Sequence, residues 1–174
     1  MVHRSHRPSA PPSIARERVS ELLARASRTR VAIIGDAMLD VYLHGDVERI
    51  SPEAPVPVVR VRERRFALGG AANVAANVAA LGARSELVCV CGGDASGEVL
   101  CRMLGDIGAA GRSVVPVARP TTTKTRVLAR VQQVVRFDEE EVDDLSGDDV
   151  ARLVEAAGRA IDEGDALVLE DYNT

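Results

Sequence analysis

Tryptophan is absent from this 174-residue chain, and phenylalanine and tyrosine occur only twice each. So few aromatic faces exclude a base-stacking platform for single-stranded nucleic acid. They also leave the core to Ala, Val and Leu. Lysine is almost missing as well: of the 22 basic residues, only Lys124 is a lysine. The three cysteines, Cys89, Cys91 and Cys101, are an odd number, and the C-x-C pair has no histidine nearby. This is a poor ligand set, so the cysteines read as buried strand thiols in a reducing cytoplasm, and no metal site is expected. No stretch has the length of a membrane span. No apolar run follows the basic amino terminus, so a secretory leader and membrane association are not expected.

What is present is the composition of a soluble globular chain, 46% hydrophobic and 28% charged, with a net charge of −4. Residues 1–30 hold seven Arg against Glu17 and Glu21, a local charge of +5 that leaves −9 for the remainder. The acidic body argues against nucleic-acid binding. Residues 1–13 (MVHRSHRPSAPPS), which include His3 and His6, are Pro, Ser and Arg rich and read as a disordered tail. Helical spacing follows over 14–27, with Ile14, Val19, Leu22 and Leu23 on one side. The division expected is therefore a tail and amphipathic helix over 1–29 and a folded unit over 30–174.

Within that unit, 31–35 (VAIIG), a continuous run of β-branched residues, and 87–91, 114–117 and 166–169 are short apolar runs, as strands buried on both faces of a parallel sheet read. Helical patterns lie between them. Residues 69–81 (GGAANVAANVAAL) enter a small-residue helix through two glycines, Gly93 to Gly97 turn into a helix ending near Leu104, and Ser146 caps an amphipathic helix with Val150, Leu153, Val154 and Ala157 on one face. Strands and helices alternating in this way give an α/β fold, a parallel sheet flanked by helices. Two stretches depart from the pattern. Residues 41–62, punctuated by Pro52, Pro55 and Pro57, and residues 121–137, a hairpin around 130–133, alternate polar and apolar positions. Together they form a small second sheet over the mouth of the first. The prolines point to short edge or excursion strands for 41–62.

Candidate site residues follow from strand ends. Asp36 and Asp40 lie in GDAMLD, beyond the first strand, where an open α/β sheet binds ligands, and their carboxylates suit sugar hydroxyls. The same positions also suit a turn Asp and a helix-capping Asp. Gly69 and Gly70 let a ligand approach backbone N–H groups at a helix entrance, and Asn73 lies one turn in. Tight packing would use the glycines equally well. No Gly-Lys-Ser/Thr follows them, and no GxGxxG follows the first strand, so neither a Walker loop nor a dinucleotide fold is supported. Lys124, Arg126, Arg130 and Arg136 lie at even spacing, a shared basic face that suits a phosphate or merely solvent. Asp138 closes that strand, while Asp171 follows the last strand at the level of Asp36.

Taken in order, GDAMLDVYLHGDVERISPEAPVPVV, GGAANVAANVAALGA, TTTKTRVLARVQQVVRFDEE and LVLEDYN resemble the bacterial D-glycero-β-D-manno-heptose-7-phosphate kinases of the ribokinase (phosphofructokinase-B) class. The resemblance runs from about Val31 to Asn173. It implies an α/β sandwich with a β-sheet lid, the lid often serving as a homodimer contact. It also implies Mg²⁺-dependent transfer of the ATP γ-phosphate to O1 of the heptose 7-phosphate, in the cytoplasm, for ADP-heptose and lipopolysaccharide supply. By the same resemblance Asp36, Asp40, Gly69, Gly70 and Asn73 bind the sugar. Lys124 and Arg126 face the substrate or its 7-phosphate, with Arg136, Asp138 and Asp171 nearby.

Relatives of this class carry their catalytic Asp in a Gly-Ala-Gly-Asp segment that does not occur in these 174 residues. The Cys91-Gly92-Gly93-Asp94 stretch follows an early strand and reads instead as a strand-to-helix turn with Asp94 as cap. The expectation is the amino-terminal, sugar-binding part of such a kinase, truncated after the early strands. It would be inactive alone, would hold nucleotide poorly and would be completed by a carboxyl-terminal half. Thr174 stands where many relatives have Lys. The alternative is a non-catalytic sugar-phosphate binding or lid-mediated assembly protein.

Overall fold

The computed structural model of the chain describes residues 14–109, 111 and 113–172. The expected tail over 1–13, with His3 and His6, and the Thr174 position lie outside these. Four parallel strands, β1 (Arg30–Gly35), β4 (Arg84–Gly92), β5 (Val114–Val117) and β8 (Ala166–Glu170), form one sheet in the order β5-β4-β1-β8. β1 is a central strand, with Ile33 opposite Leu87 on one side and Val168 on the other. Its apolar run is continuous because both faces are covered.

Two cores lie against the two faces. Ile33, Leu87, Cys89 and Cys91 pack on α2 (Ala71–Ala80) and α3 (Ala95–Asp106) through Ala71, Ala72, Ala75, Leu100 and Leu104. Ala32, Val88, Val115 and Val117 pack on α4 (Gly147–Glu163) through Ala156 and Ala160. Alanines at these helix contacts let helix and sheet approach closely, which is how a chain with so few aromatics closes its core. The α4 face differs from the expected one: Leu153 and Ala157 pack inward with Ala156 and Ala160, whereas Val154 stays 64% exposed. α1 (Arg16–Ala26) forms, but none of its residues is buried, and Val19, Leu22 and Leu23 are half-exposed.

The second sheet holds β2 (Ala37–Ile50), β3 (Pro57–Gly70), β6 (Thr123–Ala129) and β7 (Gln132–Glu139) in the order β3-β2-β6-β7. β2 and β6 run parallel, and the outer pairs are antiparallel. This lid is larger than the prolines predicted. β2 is a 14-residue strand with partners on both sides, because Pro52 and Pro55 fall in the 51–56 connection, outside the ladder. Pro57 opens the edge strand β3, where a missing N–H costs least. Among the described residues no helix is long and apolar enough to cross a membrane.

Candidate functional site

The chain leaves the parallel sheet for the lid at Asp36, and three hydrogen bonds fix that point. The Asp36 N–H donates to the Glu170 carbonyl at 3.1 Å, its carbonyl accepts from the Ala71 N–H at 2.9 Å, and its Oδ2 accepts from the Tyr172 N–H at 2.8 Å. The strand end, the start of α2 and the chain beyond β8 therefore meet at one residue, Asp36, through its backbone and its carboxylate. Gly70 makes the junction possible. It has φ +54°, and a Cβ there would lie 2.2 Å from the Asp36 carbonyl oxygen. Beside Asp36 opens a cleft of about 580 Å³ lined by Arg119, Asp143, Asp144, Leu145 and Asp171.

The lid contributes a row of side chains one strand-width apart. Asp40 on β2 is in register with Lys124 on β6, which is opposite Asp138 on β7. In the next row Tyr42, Arg126 and Arg136 are aligned in the same way. Alternation along each strand puts both rows on one face. Asp40 Oδ1 accepts from Arg126, whose guanidinium also lies over the Tyr42 ring at 5.4 Å, a cation–π contact. The hydrogen bond to Asp40 holds Arg126 above its ordinary pKa. Asp40 reaches back to the glycines as well, since a Cβ on Gly69 would lie 3.0 Å from Asp40 Oδ2.

Lys124 Nζ pairs with Asp138 at 3.4 Å and with Glu140 at 3.2 Å. Arg136 holds Asp138 in a two-pronged pair, Nε to Oδ1 at 3.0 Å and Nη2 to Oδ2 at 2.8 Å. Burial alone would push the Asp138 carboxyl up, but the hydrogen bonds from Arg136 and Lys124 outweigh it and leave the pKa below its usual value. The basic face expected from the sequence is thus a neutralised one. Lys124, Arg126 and Arg136 share a face with Asp40, Asp138 and Glu140, so each cation already has a carboxylate partner. Arg130 is not on it: it occupies the β6–β7 turn with φ +55°.

The structure joins Asp36 to Gly70 and Asp40 to Gly69, Arg126 and the Lys124 row, and it sets Asp171 beside Asp36 in the cleft. Asn73 stands apart. It is solvent-exposed in the first turn of α2, where its carbonyl accepts from Asn77 Nδ2 at 3.0 Å. Sequence reasoning missed Arg119, although the rule that located Asp36 applies to it, since it follows the end of β5. It also missed the second role of Asp94. This carboxylate caps α3 through the Gly97 N–H at 2.7 Å, and its other oxygen accepts from the Thr121 N–H at 2.8 Å. Nothing local in the sequence links residues 27 positions apart.

The cleft lining is acidic. Asp36, Asp143, Asp144 and Asp171 outnumber Arg119, so a triphosphate would meet like charge. Among the described residues no group of three or more His, Cys, Asp and Glu side chains is placed to hold a metal ion.

The pfkB family carbohydrate kinase profile matches residues 28–171. The D-beta-D-heptose 7-phosphate kinase of Bordetella bronchiseptica is 48% identical over 148 residues, which are 85% of this chain and 47% of that protein. The bifunctional protein HldE of Methylobacillus flagellatus is 46% identical over 144 residues, 82% of this chain and 30% of that protein. The chain therefore spans less than half the length of these curated relatives. Among solved structures, phosphofructokinase-2 of Escherichia coli superposes with TM-score 0.62 at 24% identity, over 82% of this chain and 45% of that one. An Arabidopsis thaliana ribokinase complexed with ribose and ATP gives TM-score 0.54 at 22% identity, over 81% and 45%. The sheet, its helices and the lid are those of the ribokinase-like α/β fold, and the chain belongs to the pfkB family of carbohydrate kinases.

Proposed function

We propose that residues 30–174 are the amino-terminal, sugar-phosphate-binding part of a kinase that transfers the ATP γ-phosphate to O1 of D-glycero-D-manno-heptose 7-phosphate, a cytoplasmic step toward ADP-heptose. The observation that carries this reading is the 48% identity to a D-beta-D-heptose 7-phosphate kinase across the segment that contains every candidate residue from Asp36 to Asp138. The geometry suits a polyol. Asp36 and Asp40 offer carboxylate acceptors beside Gly69 and Gly70, whose missing side chains let Asp36, Met38 and Asp40 pack close to the start of the following helix, which carries Asn73. The 7-phosphate would engage Lys124 and Arg126 by sharing them with their present partners, Asp138, Glu140 and Asp40.

No residue of this chain is assigned as the base that activates O1, and the like charge that a triphosphate would meet in the acidic cleft leaves ATP, with the Mg²⁺ it carries, to a complementing carboxyl-terminal half. Asp171 would then border the join. Phe66 and Phe137, each more than a third exposed on the outer lid strands with the buried Val41 and Thr125 between them, support pairing of two lids in a homodimer.

Titration calorimetry of the 174-residue chain with the heptose 7-phosphate tests the reading. Saturable binding is expected, with Asp36→Ala weakening it at least tenfold, about 1.4 kcal/mol. Absence of binding to a folded chain overturns the proposal. Turnover of ATP and the sugar by the chain alone overturns the assignment of the base to the other half.

A further inference from the structure

Three cysteines survive in the core of this chain, and two of them meet. Cys91, near the end of β4, has its Sγ 3.7 Å from Cys101 Sγ on α3 and 3.8 Å from Thr121 Oγ1. Cys89, two residues earlier on the same strand, is buried at 2% exposure and has no sulfur partner of this kind. A cavity of about 310 Å³ reaches the Cys91–Cys101 pair and is lined by both residues together with Gly92, Val114 and Pro116. The pair also sits at a mechanical junction. Gly92 N–H donates to Thr121 Oγ1 at 3.0 Å, and Asp94 binds the Thr121 N–H, so Thr121 ties the end of β4 to the segment that leads into the lid strand β6.

We infer that Cys91 and Cys101 form a reversible thiol–disulfide exchange site, oxidised by small disulfides and coupled to the root of the lid. The sulfurs need to approach by only about 1.7 Å to reach a disulfide bond of about 2.05 Å. Cys101 is the partly exposed member and reacts first. Its thiolate attacks a small disulfide, forming a mixed disulfide and expelling one small thiolate. The Cys91 thiolate then attacks the Cys101 sulfur and expels the second, so two protein thiols and one small disulfide become one protein disulfide and two small thiols. Burial pushes the Cys91 thiol up to about 12, so this second, intramolecular step is the slower one near neutral pH and quickens as the pH rises. Closing the bond draws Cys91 away from Thr121 and loosens the lid root.

The test treats the folded 174-residue chain with cystamine. Intact mass should fall by about 2 Da with no added cysteamine, and peptide mapping should join Cys91 to Cys101 while Cys89 stays free. Dithiothreitol should reverse both changes, and amide exchange over residues 121–123 should be faster in the oxidised form. Cys101→Ser should give no intramolecular disulfide, while Cys89→Ser should oxidise like the wild type. Retention of three free thiols in the treated wild type overturns the site, as does a map that joins Cys89. A Cys91–Cys101 bond with unchanged exchange over 121–123 overturns the coupling to the lid.

Discussion

At the scale of single residues, the most constrained position is Gly70. Its positive φ is a conformation that L side chains rarely adopt, and a Cβ would collide with the Asp36 carbonyl that receives the first N–H of α2. Gly70→Ala must displace either the helix start or the Asp36 carbonyl, at a cost of more than about 2 kcal/mol. Thermal or urea unfolding of the variant should show a clear drop in midpoint, and an unchanged midpoint would mean that the junction relaxes freely. By contrast the ion pairs of the lid are partly exposed, so their loss should shift stability little and act mainly on how a phosphate is received.

At the scale of elements, Asp94 binds α3 and the lid root at once. One oxygen caps the helix through Gly97, and the other satisfies the N–H of Thr121, a buried residue. Burial raises the Asp94 pKa, but hydrogen bonds from Thr121 and Gly97 to the carboxylate outweigh it, so the folded value lies below the ordinary one. The sign follows: Asp94 contributes its full stability above the unfolded carboxylate range of about 4 and loses it as pH falls through the depressed folded value. Asp94→Ala should cost about 1–2 kcal/mol near neutral pH. The difference between wild type and variant should narrow as pH is lowered from about 6 to about 3. A gap that stays constant over that range in thermal melts would assign the effect to packing rather than to the ionised cap.

At the scale of the whole molecule, β8 is the outermost strand of its sheet, and Leu167 and Leu169, on the same sheet face as α4, stand 45% and 69% exposed. An open strand edge beside apolar side chains favours association. The lid offers a second apolar surface around Phe66 and Phe137. Light scattering after gel filtration should find the 174-residue chain self-associated. Phe137→Glu should lower the defined oligomer toward monomer, and Leu169→Glu should reduce indefinite aggregation. A monodisperse monomer in the unaltered chain would show that neither surface associates.

The sequence by itself determined the parallel sheet, because short apolar runs alternating with helical patterns leave few other structures open, and it determined the glycine-led start of α2 and the position of Asp36 beyond β1. It marked the existence of the lid but not its width, since a proline excludes a central strand only where it falls inside the ladder, and Pro52 and Pro55 do not. What tertiary structure alone decided is charge pairing and sulfur pairing. Even spacing correctly put Lys124, Arg126 and Arg136 on one face, but Asp40, 86 positions from Arg126, comes from another strand and neutralises it. The Cys91–Cys101 contact and the bond from Asp94 to Thr121 arise in the same way, across elements. Local sequence fixes which way a side chain points along its own strand, whereas what it meets depends on which strand the fold lays alongside.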